Sequence, residues 1–434
     1  MKKDSFSYRV TVLFLSNLLL FAMGFAYRAA LSRRAGYSAL GLNSLVMQVY
    51  RVIAAVCISG LNVSTAALAA RLEPACLRSL FKAAFGLFCG LWSAAAVMIL
   101  LFGRSIAENA IGDAGTYPTL LLMLLCIFMT GTENILRAVL MGRGTVRPCA
   151  LSELCEQGVR FAAVIILLTR LEHGDDAHTV FLIMLGMVMS ESVSLAFLGT
   201  SLLRITRGET LPRCVVRNLM VRSARLAFPA AMTSAASAVF ASFGTILLPK
   251  LLVMYGMKGE DALAAIGGMN TVCLPQAGIP MALSAAVAAN LTPAVSGMAA
   301  RLEPVRGFVK RAFIKTGTAC FVLCLLIFAV SGRLIPLFFA CRADGSLLGF
   351  VFAYSFVGML HSICVSVLNG LCCQRAVFIT SLTGEIYGLA LSLMLVPLFG
   401  LAAFPASCAL GEALKLLLGF IFYDAKTKMG MEFS

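Results

Sequence analysis

Charge is what this chain lacks. Only 13% of its 434 residues are Asp, Glu, Lys or Arg, while 60% are hydrophobic and the mean hydropathy is +0.94. A soluble domain carries roughly 25% charged residues, and a surface this poor in charge does not stay in water, so a soluble globular fold is excluded. Histidine is scarce too, with three residues, which argues against a membrane-embedded transferase or metalloenzyme built on clustered His and acids. No GxxxxGK[ST] segment is present, so nothing in the chain cradles ATP phosphates. The fifteen cysteines are scattered through apolar runs, as at Cys57, Cys126 and Cys364, and form no zinc-binding spacing. They read as small apolar residues of a reducing compartment; Cys372 and Cys373 are the one adjacent pair.

What the chain has instead is long apolar runs. Twelve fall near 8–31, 42–69, 83–103, 118–140, 150–170, 179–203, 226–249, 263–297, 313–332, 347–371, 376–398 and 401–423. At 1.5 Å per helical residue, about 20 residues cross a hydrocarbon core of about 30 Å. The expectation is an all-α integral membrane protein of about twelve helices. The eighth run is over-long and holds Pro275, Pro280 and Pro293, which predicts a kink. The first follows Met1-Lys2-Lys3 with no small-x-small cleavage site, so it reads as a retained helix. The formal net charge of +15 does not point to nucleic acid, because the basic residues sit in short gaps between apolar runs. With the N-terminus inside, most of them fall on one side: Arg71, Arg78 and Lys82; Arg143 and Arg147; Arg204 to Arg225; Arg301 to Lys315; Lys426 and Lys428. The positive-inside rule then puts both termini of this multi-pass membrane protein in the cytoplasm.

The chain also repeats itself. Ala70-Arg71-Leu72-Glu73-Pro74 returns as Ala300-Arg301-Leu302-Glu303-Pro304, and Val139-Leu140-Met141-Gly142 is echoed by Val367-Leu368-Asn369-Gly370. Near-equal offsets predict a parallel repeat of two six-helix bundles: a first lobe over 1–203, a basic cytoplasmic linker over 204–225 lying against anionic headgroups, and a second lobe over 226–434.

Several segments resemble a known family. Ala35-Gly36-Tyr37-Ser38-Ala39-Leu40-Gly41-Leu42 with Gly60-Leu61-Asn62-Val63-Ser64, Gly142-Arg143-Gly144-Thr145-Val146-Arg147-Pro148 leading to Glu156-Gln157-Gly158-Val159-Arg160, and Leu274-Pro275 with Asn290-Leu291-Thr292-Pro293 are similar, in order, to the stage V sporulation protein B family. That family belongs to the superfamily of multidrug and toxin extruders, oligosaccharide-lipid flippases and lipid II flippases. The resemblance implies a pair of six-helix bundles around a central cavity and export of a polyprenyl-pyrophosphate-linked saccharide or cell-wall precursor, with no cofactor.

Ionisable residues inside a membrane are costly and mark function or pairing. Arg28 and Arg51 fall in the outer half of the first two spans. A guanidinium fork suits a pyrophosphate; the alternative for Arg28 is snorkelling to outer headgroups. Lipid II flippases resemble this in their first two helices, whereas the eighth span here offers Asn270 and Gln276 and no basic residue. Glu133 and Arg137 lie one turn apart, and Glu153, Glu156 and Arg160 share one helical face. They form either a polar track for a coupling proton or sodium ion or an ion-pair clamp between spans four and five. Glu385 stands as the lone acid of a long charge-free run and is a further coupling candidate. His361 reads as a structural histidine, and Glu412 as the partner of Lys415. A cation- or proton-coupled drug antiporter on the same fold is the alternative function, disfavoured because the first span holds no carboxylate. His173, His178, Asp175 and Asp176 read as a solvated outer loop and not as a metal site.

Overall fold

The computed structural model describes the chain apart from residues 1–5, 71, 74–75, 144, 172–173, 206–212, 302–303, 340–343, 372 and 432–434. Regular structure among the described residues is helical throughout: α1 (Phe6–Ala35), α2 (Tyr37–Ala54), α3 (Gly60–Ala69), α4 (Leu77–Ser105), α5 (Tyr117–Gly142), α6 (Val146–Arg170), α7 (Asp176–Ile205), α8 (Arg213–Met254), α9 (Gly259–Gly268), α10 (Leu274–Gln276), α11 (Gly278–Ala300), α12 (Val305–Phe339), α13 (Gly345–Gly370), α14 (Gln374–Phe399) and α15 (Ala403–Met431). A π turn at Ala55–Ser59 joins α2 to α3, and a second at Met269–Cys273 joins α9 to α10.

Among the described residues, nine helices are long and apolar enough to cross a membrane, and a tenth counts if Gly259–Gln276 and Pro280–Ala288 form one broken span. That pair is bent by 63°, where the sequence places a kink in its eighth run. The break falls at Ala277, between Pro275 and Pro280, whose missing amide hydrogens cannot close helical hydrogen bonds. α1 and α6 lie outside the nine. In α6 the cause is plain, since Arg147, Glu153, Glu156 and Arg160 interrupt its apolar character.

Two compact units divide the chain, Met1–Ser242 and Phe243–Ser434, so the division falls inside α8. The expected linker is described only in part; 206–212 lie outside the described residues, and from Arg213 the chain is helical. In the first unit α7 packs on α5 and α6, α3 and α4 pack on α5, and α1 packs on α6. In the second, α15 packs on α13 and α14, and α11 and α12 pack on α13. Apart from α1 on α6, each of these pairings has its counterpart in the other unit.

The repeat extends to single side chains. Eleven of the twelve buried positions of α13 have a buried counterpart in α5 at an offset of 228 residues. At that offset Ser152 of α6 matches Thr380 of α14; both are fully buried, and each hydroxyl donates to the carbonyl three residues back, of Cys149 at 2.8 Å and of Val377 at 3.0 Å. In α15, the buried Ser407, Gly411, Lys415 and Gly419 match Gly186, Ser190, Ser194 and Leu198 of α7 at an offset of 221. The outer helices match as well. In the most apolar windows of α4 and α12 only 17% of residues are buried, which leaves Leu100, Leu101 and Phe102 on one and Leu325, Leu326 and Leu337 on the other for lipid.

Two devices hold these helices in place. Gly142 and Gly370 end α5 and α13 against a neighbouring backbone. A Cβ at Gly142 would lie 2.6 Å from the Ala66 carbonyl oxygen, and one at Gly370 would lie 2.8 Å from that of Thr292. At the other end, Asp344 accepts from the Ser346 amide at 3.1 Å and caps the start of α13, while Asp113 accepts from the Gly115 amide at 2.8 Å and caps the 3-10 turn Ala114–Thr116 that leads into α5. Hydrogen bonds from Ser346 hold the Asp344 carboxyl below the usual carboxylate range.

Gly142→Val is expected to cost about 1–3 kcal/mol by forcing α5 off α3, read as a lower Tm in detergent. Asp344→Ala is expected to cost about 0.5–1 kcal/mol at pH 7, the low end for a cap because the site is exposed. The depressed folded-state pKa sets the sign: the contribution is present above the unfolded carboxylate range and lost as pH falls through the folded value. Tm curves of wild type and D344A should therefore converge in acid.

Candidate functional site

The first unit concentrates its intramembrane charge where α5, α6 and α7 meet. One turn apart on α5, Glu133 and Arg137 face Glu153, Glu156 and Arg160 of α6, and Ser190, Glu191 and Ser194 complete the cluster from α7. Arg137 pairs with Glu133 on its own helix, reaches Glu153 at 2.7 Å and approaches Glu156 at 3.8 Å. Arg160 pairs with Glu156 and reaches Glu191 at 3.2 Å, while its Nε donates to Ser190 at 3.3 Å. Ser194 donates to Glu133 at 2.7 Å. Glu133 and Glu191 are 2% and 4% exposed, so the centre of this network is buried, while the Glu153 side chain at its edge is 31% exposed. One carboxylate oxygen each from Glu133, Glu156 and Glu191 lie within 4.8 Å of one another.

The second unit holds a smaller network at matching helices. Lys415 of α15 donates to Glu385 of α14 and to Glu412 of its own helix, both at 2.6 Å. His361 of α13 lies 2.9 Å from the other oxygen of Glu412 through Nδ1, and its Nε2 is buried without a partner. Glu385 is therefore not a lone acid. Its partner sits 30 residues away on the next helix, and only the packing of α14 on α15 brings the two together.

The sequence-predicted residues thus separate. Glu133, Arg137, Glu153, Glu156 and Arg160 form one network, with the unexpected addition of Glu191, a lone acid in its run whose flanking Ser190 and Ser194 are the signal that could have placed it. Arg28 and Arg51 are exposed, and neither makes a salt bridge among the described residues. They lie about 10 Å and 21 Å along the helix axis from Ala35 and Tyr37, the facing ends of α1 and α2. Asn270 sits half-buried on the π turn Met269–Cys273 with its Nδ2 unpartnered, and the buried Gln276 donates to the Val272 carbonyl at 3.1 Å. No described hydrogen bond joins Asn270 to Gln276. Sequence reasoning passed over Gln48, buried on α2 and accepting from Ser242 at 3.2 Å. In the outer loop, His173 lies outside the described residues; Asp175 accepts from the His178 amide at 2.9 Å, starting α7.

Solved transporters share this fold. The inward-facing conformation of a multidrug resistance MATE family transporter of the MOP superfamily superposes with a TM-score of 0.69 at 14% identity, over 96% of each chain. The lipid II flippase MurJ in an inward closed conformation gives a TM-score of 0.70 at 11% identity, over 95% of this chain and 87% of that one. A MOP superfamily transporter from Pyrococcus furiosus, described for the reverse polarity of its binding pocket, gives 0.65 at 14% identity, over 98% and 96%. No protein-family model and no curated protein matches the sequence. The chain shares the fold of these solved proteins. At such identities the likeness concerns architecture alone, and it includes extruders and flippases together.

Lys415→Met is expected to leave Glu385 and Glu412 unbalanced in a buried site, at a cost of about 3–5 kcal/mol. Adding E385Q and E412Q should restore most of the lost Tm, because the remaining groups are then neutral and of nearly native shape.

Proposed function

We propose that the protein is a flippase that exports a polyprenyl-pyrophosphate-linked saccharide or cell-wall precursor across the cytoplasmic membrane by alternating access of two six-helix lobes. One observation carries the substrate class. The arginines of the buried network are consumed by carboxylates, whereas Arg28 and Arg51 stay exposed within apolar helices and make no salt bridge among the described residues. A guanidinium kept free at that depth is a donor reserved for a polyanion, and a pyrophosphate accepts two parallel bonds from each planar fork. Asn270 and Gln276 of the second unit are candidate partners for sugar hydroxyls, while the tail would stay in lipid. Energy would come from an ion gradient through the buried acids or from consumption of product outside, since no ATP motif exists. A cation-coupled multidrug antiporter fits the same fold, but α1 has no acid between Phe6 and Ala35 to take up an organic cation.

Outward movement of a fluorescent polyprenyl-pyrophosphate sugar in proteoliposomes tests the reading. R51A is expected to lower transport about 10- to 100-fold, the loss of about 1.5–3 kcal/mol from a charge-assisted bond, with insertion unchanged; R51K should recover only part, since an ammonium lacks the fork. Unchanged transport in R28A/R51A would overturn the role of these arginines, and efflux of cationic drugs with lipid-linked sugars ignored would replace this reading with the antiporter.

A further inference from the structure

We infer that the first unit binds an anionic phospholipid in the crevice between the starts of α4 and α8, with the headgroup on Arg78, Lys82 and Arg217 and one acyl chain along Gly86 and Gly90. The path of the chain puts these basic residues at one level. Gly60 of α3 faces Ala227 of α8, and Ser64 hydrogen-bonds Ser223 at 3.1 Å, so α3 and α8 run antiparallel. A short connection after α3 turns the chain back into α4, which therefore starts at the same end as α8. The two helices meet at Gly86, where an added Cβ would lie 3.6 Å from the Met220 methyl. Lys82 lies one turn before Gly86, Arg78 one turn before Lys82, and Arg217 one turn before Met220. All three basic residues are exposed and make no salt bridge among the described residues.

The surface beyond them suits an acyl chain. Lys82, Gly86, Gly90 and Ser93 share one face of α4, at spacings of four and three residues, and all are exposed. Nothing lies within 4 Å of a Cβ at Gly90. The face thus passes from charge into a shallow trough about 10 Å long, walled on the α8 side by Met220. A phosphodiester accepts from guanidinium and ammonium groups together. Each basic residue beside a membrane helix strengthens the hold on an anionic lipid about fivefold, and the missing side chains let the acyl chain approach the α4 backbone closely.

The second unit supplies the internal comparison. An offset of 228 residues carries the buried Phe88, Gly103, Ala107 and Ile111 onto the buried Thr316, Ser331, Ile335 and Phe339, so α12 repeats α4. Both basic residues recur, as Arg306 and Lys310, but Gly86, Gly90 and Ser93 become Ile314, Thr318 and Phe321. Ile314 and Phe321 are 55% and 49% exposed and fill the trough, and Arg306 is paired with Asp424 of α15. α12 keeps the charge and closes the groove. It therefore separates general attraction of lipid to a basic helix start from a site built for one.

Thermal unfolding of the purified full-length protein in detergent, with phosphatidylglycerol or phosphatidylcholine added to the micelles, reads the binding. Phosphatidylglycerol is expected to raise Tm saturably, on the order of 2–4 °C, whereas phosphatidylcholine and soluble glycerol phosphate should leave it unchanged. R78Q/K82Q should raise the phosphatidylglycerol concentration that gives half the shift about 30-fold, the product of two charges; K310Q should not move it. G90L separates chain from headgroup. Its side chain enters open space, so without lipid it should unfold no lower than wild type, while the phosphatidylglycerol shift is lost. The inference is overturned if wild type shows no shift, if phosphatidylcholine or glycerol phosphate matches phosphatidylglycerol, if R78Q/K82Q or G90L keeps the full response, or if K310Q loses it as well. A detergent-stable dimer that G90L dissociates would also overturn it, by giving the face to a second copy of this chain. None of these residues belongs to the proposed cargo path, so sugar movement in proteoliposomes and this binding stand or fall separately.

Discussion

A charged side chain in hydrocarbon must bring its partner with it, and the core of the first unit is arranged around that requirement. Inserting one Arg, Lys or Asp at a bilayer centre costs about 2.5–3.5 kcal/mol on insertion scales. Six such groups therefore meet on three helices, where guanidinium forks and carboxylates satisfy one another. The network does not make the unit stable in the sense that an apolar core does, because desolvation offsets most of the attraction. It makes the packing specific. α5, α6 and α7 can meet in one register only, since sliding any of them by a turn would strand a buried charge. The second unit reaches the same end with fewer charges and smaller residues. Gly384, Gly388 and Gly411 bring α14 and α15 close enough for Lys415 to reach both acids.

The repeat explains why two chemistries occupy equivalent places. Burial along α13 follows that of α5 position by position, so backbone geometry persists while the side chains at its centre diverge. A site that needs precise placement is thereby available twice in one chain, and change in one copy leaves the other intact. Glu133 and His361 sit at corresponding points with opposite capacities to carry charge, a difference that packing alone would not demand.

Much of this was legible in residue order. Low charge and long apolar runs point to the helices, Pro275 and Pro280 to the break near Ala277, and the recurrence of Val-Leu-x-Gly to the two glycines that seat α5 and α13. The i,i+4 pairs Glu133–Arg137 and Glu156–Arg160 were readable because helical spacing is a local property. What lay beyond reach was assembly between helices. Glu191 joins its network from a helix 31 residues past Arg160, and Lys415 neutralises Glu385 from 30 residues away. No periodicity reports such a meeting, and a lone acid in an apolar run looks the same whether its partner is an ion, a lysine or nothing.

The fold alone leaves the cargo open, because extruders of drugs and a flippase of lipid II share it, and chemistry on a shared fold is decided by the groups it displays. Here the decisive contrast is between arginines. Arg137 and Arg160 have acids within reach and are half-buried; Arg28 and Arg51 make no salt bridge among the described residues and are exposed. A membrane helix carries an unpaired guanidinium at a cost it does not recover within the folded chain, unless water, headgroups or a ligand completes the pairing. Snorkelling serves Arg28, about 10 Å from its helix end. It serves Arg51 much less, because that residue lies twice as far along a rod that continues through a π turn to Ala69. Under the proposed export reading, an anion that comes and goes is the partner that fits Arg51, which sets the exposed arginines of α1 and α2 apart from the paired arginines of α5 and α6.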